Sequence, residues 1–237
     1  MILFKLIVLL CFHFENGYAQ DRFVASFQTS ESWSIDEWME YSKEIPSLKA
    51  FTTCFWTKIK HFPADYVAFW QYCGVEASNK EEKSMECMQF YLRPNVSSGN
   101  RHMDIYGWVQ SYEVMIYSTR FKHRSWNHLC WSYSSQNGMN TFYHNGYLLG
   151  TKPMPSFNGS FPLMKGDKEY ESSAFIIGQE QDWIRGRYES SQVYSGDITE
   201  LNMWDSILES HVIYKLASCK LFDKGNVIAW KRRDFRA

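Results

Sequence analysis

The sequence predicts an all-β protein, an antiparallel sandwich of two sheets carrying one short helix. Three observations carry that expectation. Aromatic residues make up 18% of the chain, which suits the pleated, half-buried surfaces of a large sandwich better than a helical bundle. Aromatic and β-branched runs recur at short intervals, separated by polar or Gly/Pro punctuation. Only one segment has a helical period of apolar residues.

In chain order, Met1 to Ala19 reads as a secretory leader. Lys5 gives the charged start, Leu6 to Phe12 the apolar stretch and Gly17-Tyr18-Ala19 a small-residue cleavage site. The apolar run is shorter than the roughly 20 residues of a spanning helix. The mature chain is therefore expected to begin near Gln20, to be extracellular and to fold as one domain over residues 20–237.

Phe51–Trp56, Val67–Tyr72, Met88–Leu92, Ile105–Val109, Val114–Tyr117 and His128–Tyr133 are the strand-like runs of the first half. Thr141–Leu149 is the clearest hairpin, because Asn145-Gly146 supplies the positive φ angles of a tight primed turn. Ala174–Ile177 is a strand leading into an acidic loop. Ile207–Leu216 is the expected helix, with Ile207, Leu208, Val212, Ile213 and Leu216 on one face.

The formal charge of −1 gives no reason to invoke nucleic acid. The basic end, Lys231-Arg232-Arg233 and Arg236, reads as a solvated tail. Loss of the leader removes Cys11 and leaves Cys54, Cys73, Cys87, Cys130 and Cys219, an odd set for an oxidising compartment. Cys73 and Cys87 are spaced to clamp a hairpin. Cys54 and Cys130, each in an apolar strand, suit a bridge between sheets, with Cys219 left free or joined to another chain. Asn95-Val96-Ser97 and Asn158-Gly159-Ser160 are acceptor sequons for N-glycosylation in polar, turn-rich stretches.

The loop from Gly178 to Gln192 holds the densest chemistry. It gathers Glu180, Asp182 and Glu189 with the amide oxygens of Gln181 and Gln192. Crowded carboxylates need a positive partner, and Ca²⁺ takes 6–8 oxygen ligands. Arg185 and Arg187, in the same loop, could neutralise them bidentately instead. The histidines have no zinc-like spacing, and neither a phosphate-cradling glycine loop nor a nucleophile elbow occurs. Jelly-roll glycosidases need two carboxylates about 5–10 Å apart across a sugar bond. Acids that are adjacent or separated by a loop suit chelation better, so no enzyme is expected.

Several motifs together resemble the pentraxin family: His128-Leu129-Cys130-Trp131-Ser132-Tyr133-Ser134, with Tyr133 where the family has Trp; Gly178–Asp182 continuing through Gly196–Ile198 and Asn202–Asp205; Gly225–Trp230; and Phe51–Cys54. The resemblance covers most of the chain from Phe51 to Trp230. It implies a laminin-G-like jelly roll, a Cys54–Cys130 disulfide and a face with two calcium ions gripping an anionic ligand. By motif position, Glu180 and Asp182 would bridge both ions, the Gln181 backbone oxygen would serve the first, and Glu189 and Gln192 the second. The family's remaining Asp-Asn pair falls at Ser84 and Met85, neither a carboxylate, with Asn79, Glu81 or Glu82 as substitutes. A choline-like ligand would need an aromatic pocket, for which Phe90 or Trp183 is a candidate. The expected function is calcium-dependent, lectin-like binding of phosphate-bearing or carbohydrate ligands on surfaces in innate immunity, by a homo-oligomer. The competing expectation is a calcium-independent laminin-G-like adhesion or protein-interaction module.

Overall fold

The computed structural model describes residues 23–28, 33–62, 65–76, 85–95, 102–109, 112–154 and 170–237. Two antiparallel sheets face each other. One has the order β1 (Ala25–Phe27), β12 (Ser195–Trp204), β3 (Ala50–His61), β8 (Asn127–Ser134), β9 (Met139–His144), β10 (Tyr147–Pro153). The other runs β13 (Phe235–Arg236), β2 (Met39–Tyr41), β11 (Tyr170–Ile177), β4 (Val67–Glu76), β5 (Met85–Pro94), β6 (Met103–Val109), β7 (Tyr112–Thr119). The expected runs are the aromatic centres of strands that extend further at both ends in β5 and β7. In those extensions ladder hydrogen bonds, rather than side-chain character, set the limits.

Aromatic rings fill the space between the sheets. Trp70 stacks on Phe175 at 5.1 Å and on Trp131 at 5.8 Å, while Phe51 meets Trp131 edge-on at 4.8 Å. Phe90 belongs to this core and is fully buried, so it is not available as a wall for a choline-like ligand. The β9–β10 turn has positive φ at both Asn145 and Gly146, the backbone that a two-residue hairpin with right-handed twist requires.

Cys54 and Cys130 are bonded and lie directly opposite each other in register. Since β3 and β8 are neighbours, the bridge ties two strands of one sheet, not one sheet to the other as their strand context suggested. Cys73 and Cys87 pair in the same way across β4 and β5. Among the described residues no cysteine is free, and Cys219 too is oxidised, so the expected leftover thiol is not found.

The helix α1 (Ser210–Ala217) starts three residues later than its apolar period implied. Thr52 Oγ1 donates to Ser206 O at 2.7 Å and accepts from Leu208 N at 3.0 Å, which commits that backbone to β3 instead of a helical turn. Ile207 is consequently exposed, and Ile213 is the helix's buried residue, packed against Cys54, Cys130, Tyr143 and Trp204.

Gly107 in β6 lies against the Trp131 indole; a Cβ there would sit 2.7 Å from Cζ2 and 2.8 Å from Cε2. A ring locked by four aromatic neighbours, Phe51, Trp70, Phe90 and Phe142, has little room to yield. Gly107→Ala is therefore expected to destabilise the fold by about 1–3 kcal/mol in urea unfolding, the usual range for overpacking. A variant as stable as the parent would show that the indole moves freely.

Candidate metal centre

The acidic loop leaves the second sheet where β11 ends. Gly178 has φ of 94°, and a Cβ there would meet the Phe27 ring at 2.8 Å, so glycine alone fits this exit. The neck is closed by backbone bonds: Gly178 N donates to Phe69 O, Tyr194 N to Gly178 O and Ala68 N to Gln192 O, at 2.9–3.3 Å. Both ends of the loop are thus pinned beside β4. Within it, Trp183 and Gly186 exchange backbone bonds, and Arg185 and Arg187 adopt positive φ.

Gln71 on β4 organises the loop's first half. Its Nε2 donates to Glu180 Oε1 at 3.1 Å, and its Oε1 accepts from the Gln181 backbone N–H. The buried Gln181 side chain donates to Gln71 O and Ala174 O at 3.4 Å and accepts from Arg185 N at 3.0 Å. Its amide is therefore spent on shaping the loop. Asp182 and Glu189 are exposed, whereas Glu180 is half-buried. Burial first, then the charges of Asp182 and Glu189, push the Glu180 carboxyl up to about 7, against the Gln71 hydrogen bond that favours ionisation.

The two arginines go elsewhere. Arg185 Nε and Nη2 donate to Glu40 Oε1 at 2.9 and 2.6 Å, and Nη2 also donates to Ser173 O at 3.0 Å. Burial alone would raise Glu40, yet Arg185 and Arg236 hold it below the usual carboxylate range. Arg187 lies over the exposed Trp183 ring at 5.8 Å. Among the described residues, no cation pairs with Glu180, Asp182 or Glu189 within 4 Å.

Ca²⁺ fits the donor set. Glu180 Oε2 and Gln192 Oε1 are buried acceptors with no hydrogen-bond donor, and an oxygen without a donor is costly unless a cation meets it. Side-chain oxygens of Glu180, Asp182, Glu189 and Gln192 and the Gln181 carbonyl would hold the ion. The three carboxylates stand wider apart than a closed site, for the only trio of ligating groups drawn within 4.8 Å among the described residues is Cys54, His128 and Cys130. Those sulfurs are bonded to each other, so that trio offers no thiolate.

Ser84, Asn79, Glu81 and Glu82 lie outside the described residues, as does Asn158. Asn95 is half-buried, and its Nδ2 donates to both Asp104 carboxylate oxygens at 3.1–3.2 Å. Sequence reasoning missed Gln71, whose only signal is an amide inside an aromatic strand. It also missed the cleft beside the loop. That cleft, of about 370 Å³, is lined by Tyr66, Gln89, Tyr91, Arg93, Trp108 and Glu113 in addition to Gln71, Glu180, Gln181 and Asp182.

A model of the Pentaxin family matches residues 24–237. C-reactive protein 1.4 of Limulus polyphemus is 25% identical over 198 residues, covering 81% of this chain and 73% of that protein. Neuronal pentraxin-2 of Mus musculus is 26% identical over 188 residues, which is 79% of this chain but 38% of that longer protein. A native heptameric SAP-like pentraxin from Limulus polyphemus superposes with a TM-score of 0.69 at 22% identity, over 92% of this chain and 91% of that one.

A carboxyl near 7 when folded and near 4.5 when unfolded binds more protons in the folded state between those values. Its contribution to stability therefore falls as pH rises through that window. Buried His128 and His144, lowered to about 3 and about 4 by burial, act oppositely below their unfolded value of 6.5. The contrast with Glu180→Gln isolates the carboxyl. In chelator, the parent is expected to lose about 2–3 kcal/mol relative to that variant between pH 5 and pH 8. Parallel pH profiles in urea unfolding would contradict this.

Proposed function

The chain belongs to the pentraxin family, and from that premise we propose a secreted recognition protein that grips its ligand through calcium. Residues 1–19 would be the leader and residues 20–237 the recognition domain. Glu180, Asp182, Glu189 and Gln192 would bind the ion by side chain and Gln181 by its backbone oxygen. Bound there, calcium leaves coordination positions for a ligand oxygen, such as a phosphate oxygen or a sugar hydroxyl. The chain's own residues do the rest: Gln71 and Gln181 fix the loop, and the Gly178 neck ties it to the sheet.

The observation that carries this reading is the diversion of Arg185 to Glu40. With that guanidinium committed, and Arg187 over Trp183, the carboxylates of the loop have no counter-charge within 4 Å among the described residues. Glu180 Oε2 and Gln192 Oε1 face the same need. The acids serve chelation in this reading, and we assign the protein no catalytic step. Binding to phosphate-bearing or carbohydrate surfaces, in innate defence, is the role that fits a lectin-like member of this family. Assembly into a homo-oligomer is proposed by analogy with the Limulus relative, which is heptameric. The 38% coverage of neuronal pentraxin-2 leaves that protein's other segments without a counterpart in this proposal.

Calcium in excess over chelator is expected to raise the melting temperature. At 100 times Kd the stabilisation is about 2.7 kcal/mol, or about 5–10 °C for a domain of this size. Glu180→Gln and Asp182→Asn should each remove most of that shift while still unfolding cooperatively in chelator. No shift in the parent would favour a calcium-independent laminin-G-like adhesion module.

A further inference from the structure

The cleft beside the metal loop has an aromatic cage that is already filled. Arg93 on β5 places its guanidinium 5.3, 5.3 and 5.2 Å from the ring centres of Tyr66, Tyr91 and Tyr106. Those faces would be the natural seat for a ligand ammonium, and a resident cation holds them. A quaternary ammonium entering here would meet like charge and covered rings.

The same guanidinium has hydrogen-bonding capacity to spare. Its nearest acids are Glu113 at 3.6 Å and Asp65 at 3.9 Å, too far for hydrogen bonds, and Arg93 Nε is buried without a partner. Glu113 is otherwise occupied, accepting from the Tyr91 hydroxyl, and burial raises its carboxyl above the usual range. Gln89, 5% exposed, also lines the cleft. Its amide lies close enough to Tyr66 to temper the rise of that phenol, yet Gln89 Nε2 has no hydrogen-bonded acceptor. Two sets of unused donors thus face one cleft whose other wall is Glu180, Gln181 and Asp182.

We propose that this cleft selects acidic ligands, taking a second oxyanion on Arg93 and Gln89 while the first oxygen binds the metal, and that Arg93 excludes choline-type headgroups. The inference deepens the calcium reading and rests on it for the metal-bound oxygen. Among the charged residues that line the cleft, Glu113, Glu180 and Asp182 against Arg93 leave two negative charges when all are ionised, and one Ca²⁺ offsets those two. Asp65 and Glu189 keep the wider face acidic, so the second oxyanion, a carboxylate or a phosphate, is seated by the local donors of Arg93 and Gln89 and not by the net charge. A guanidinium suits either, because its fork matches both geometries.

The test uses the full chain, calorimetry with calcium in excess, and two probes of similar length: 3-phosphonopropionate, with a second oxyanion, and phosphocholine, with a quaternary ammonium. Ethyl phosphate and acetate, titrated separately, show whether phosphate or carboxylate seats better at Arg93. The parent is expected to bind 3-phosphonopropionate about tenfold tighter than phosphocholine or more, as charge-assisted bonds to a guanidinium allow. Arg93→Gln should erase that preference and improve phosphocholine binding, while the calcium-induced melting shift stays intact. Gln89→Leu, which keeps Arg93, should weaken the acidic probe alone. Equal or reversed preference in the parent, no binding of 3-phosphonopropionate, or an Arg93→Gln variant with unchanged selectivity would each overturn the proposal. Loss of the calcium melting shift with an Arg93-dependent preference still present would instead overturn the calcium reading and leave the anion site standing.

Discussion

One half-buried carboxylate, Glu180, sets the terms for the acidic loop. Gln71 satisfies one of its oxygens, and among the described residues no donor meets the other, while Asp182 and Glu189 add like charge from the same loop. In water such a group would relax outward. Here it is held because the loop's two ends are sewn to β4 and to each other, and because Gln181 is fixed by three hydrogen bonds of its own amide. The folded chain therefore stores an electrostatic penalty that a cation relieves. On the proposed calcium reading, affinity for a hard ion would follow from that stored cost, not from any exceptional ligand geometry.

A rigid sandwich is what makes the penalty bearable. The aromatic stack through Phe175, Trp70 and Trp131 joins the two sheets directly beneath β4 and β11, the strands that carry Gln71 and the loop. Close-packed rings transmit little slack, so the Gln71 amide has few ways to follow a loop that tries to splay. Glu40 contributes from the next strand over. By accepting both Arg185 and Arg236, it removes from the loop the one residue best able to cancel its charge.

Much of this was legible in the sequence, for reasons that can be named. Alternating aromatic runs mark the strands because a sandwich core must be apolar on one face, and Asn145-Gly146 marks its turn because few other pairs accept two positive φ angles. The acidic loop was visible as local composition. What stayed hidden depended on contacts between distant segments. Arg185 lies four residues from Gln181 in sequence but is matched to Glu40, 145 positions away. Cys54 and Cys130 have the composition of core strands, which says nothing about whether those strands are neighbours in one sheet. Phe90 and Arg93 sit three residues apart on β5, so they point to opposite faces of the sheet. The aromatic residue that looked like a ligand wall is core, and Arg93, for which no role was legible in the sequence, lines the cleft.

That inversion alters how the face can be addressed. A cage of tyrosines beside an acidic loop would ordinarily welcome a ligand cation, since rings and carboxylates pull in the same direction. Arg93 sets one cation among Tyr66, Tyr91 and Tyr106, with Glu113 at 3.6 Å and Asp65 at 3.9 Å, while the other end carries only acids. An oxyanion approaching the metal-free face would meet the repulsion of Glu180 and Asp182 as well as the pull of Arg93; with a divalent ion bound as we propose, that repulsion would be offset. On that proposal the metal would favour the acidic ligand, and linkage would require the ligand to favour the metal equally.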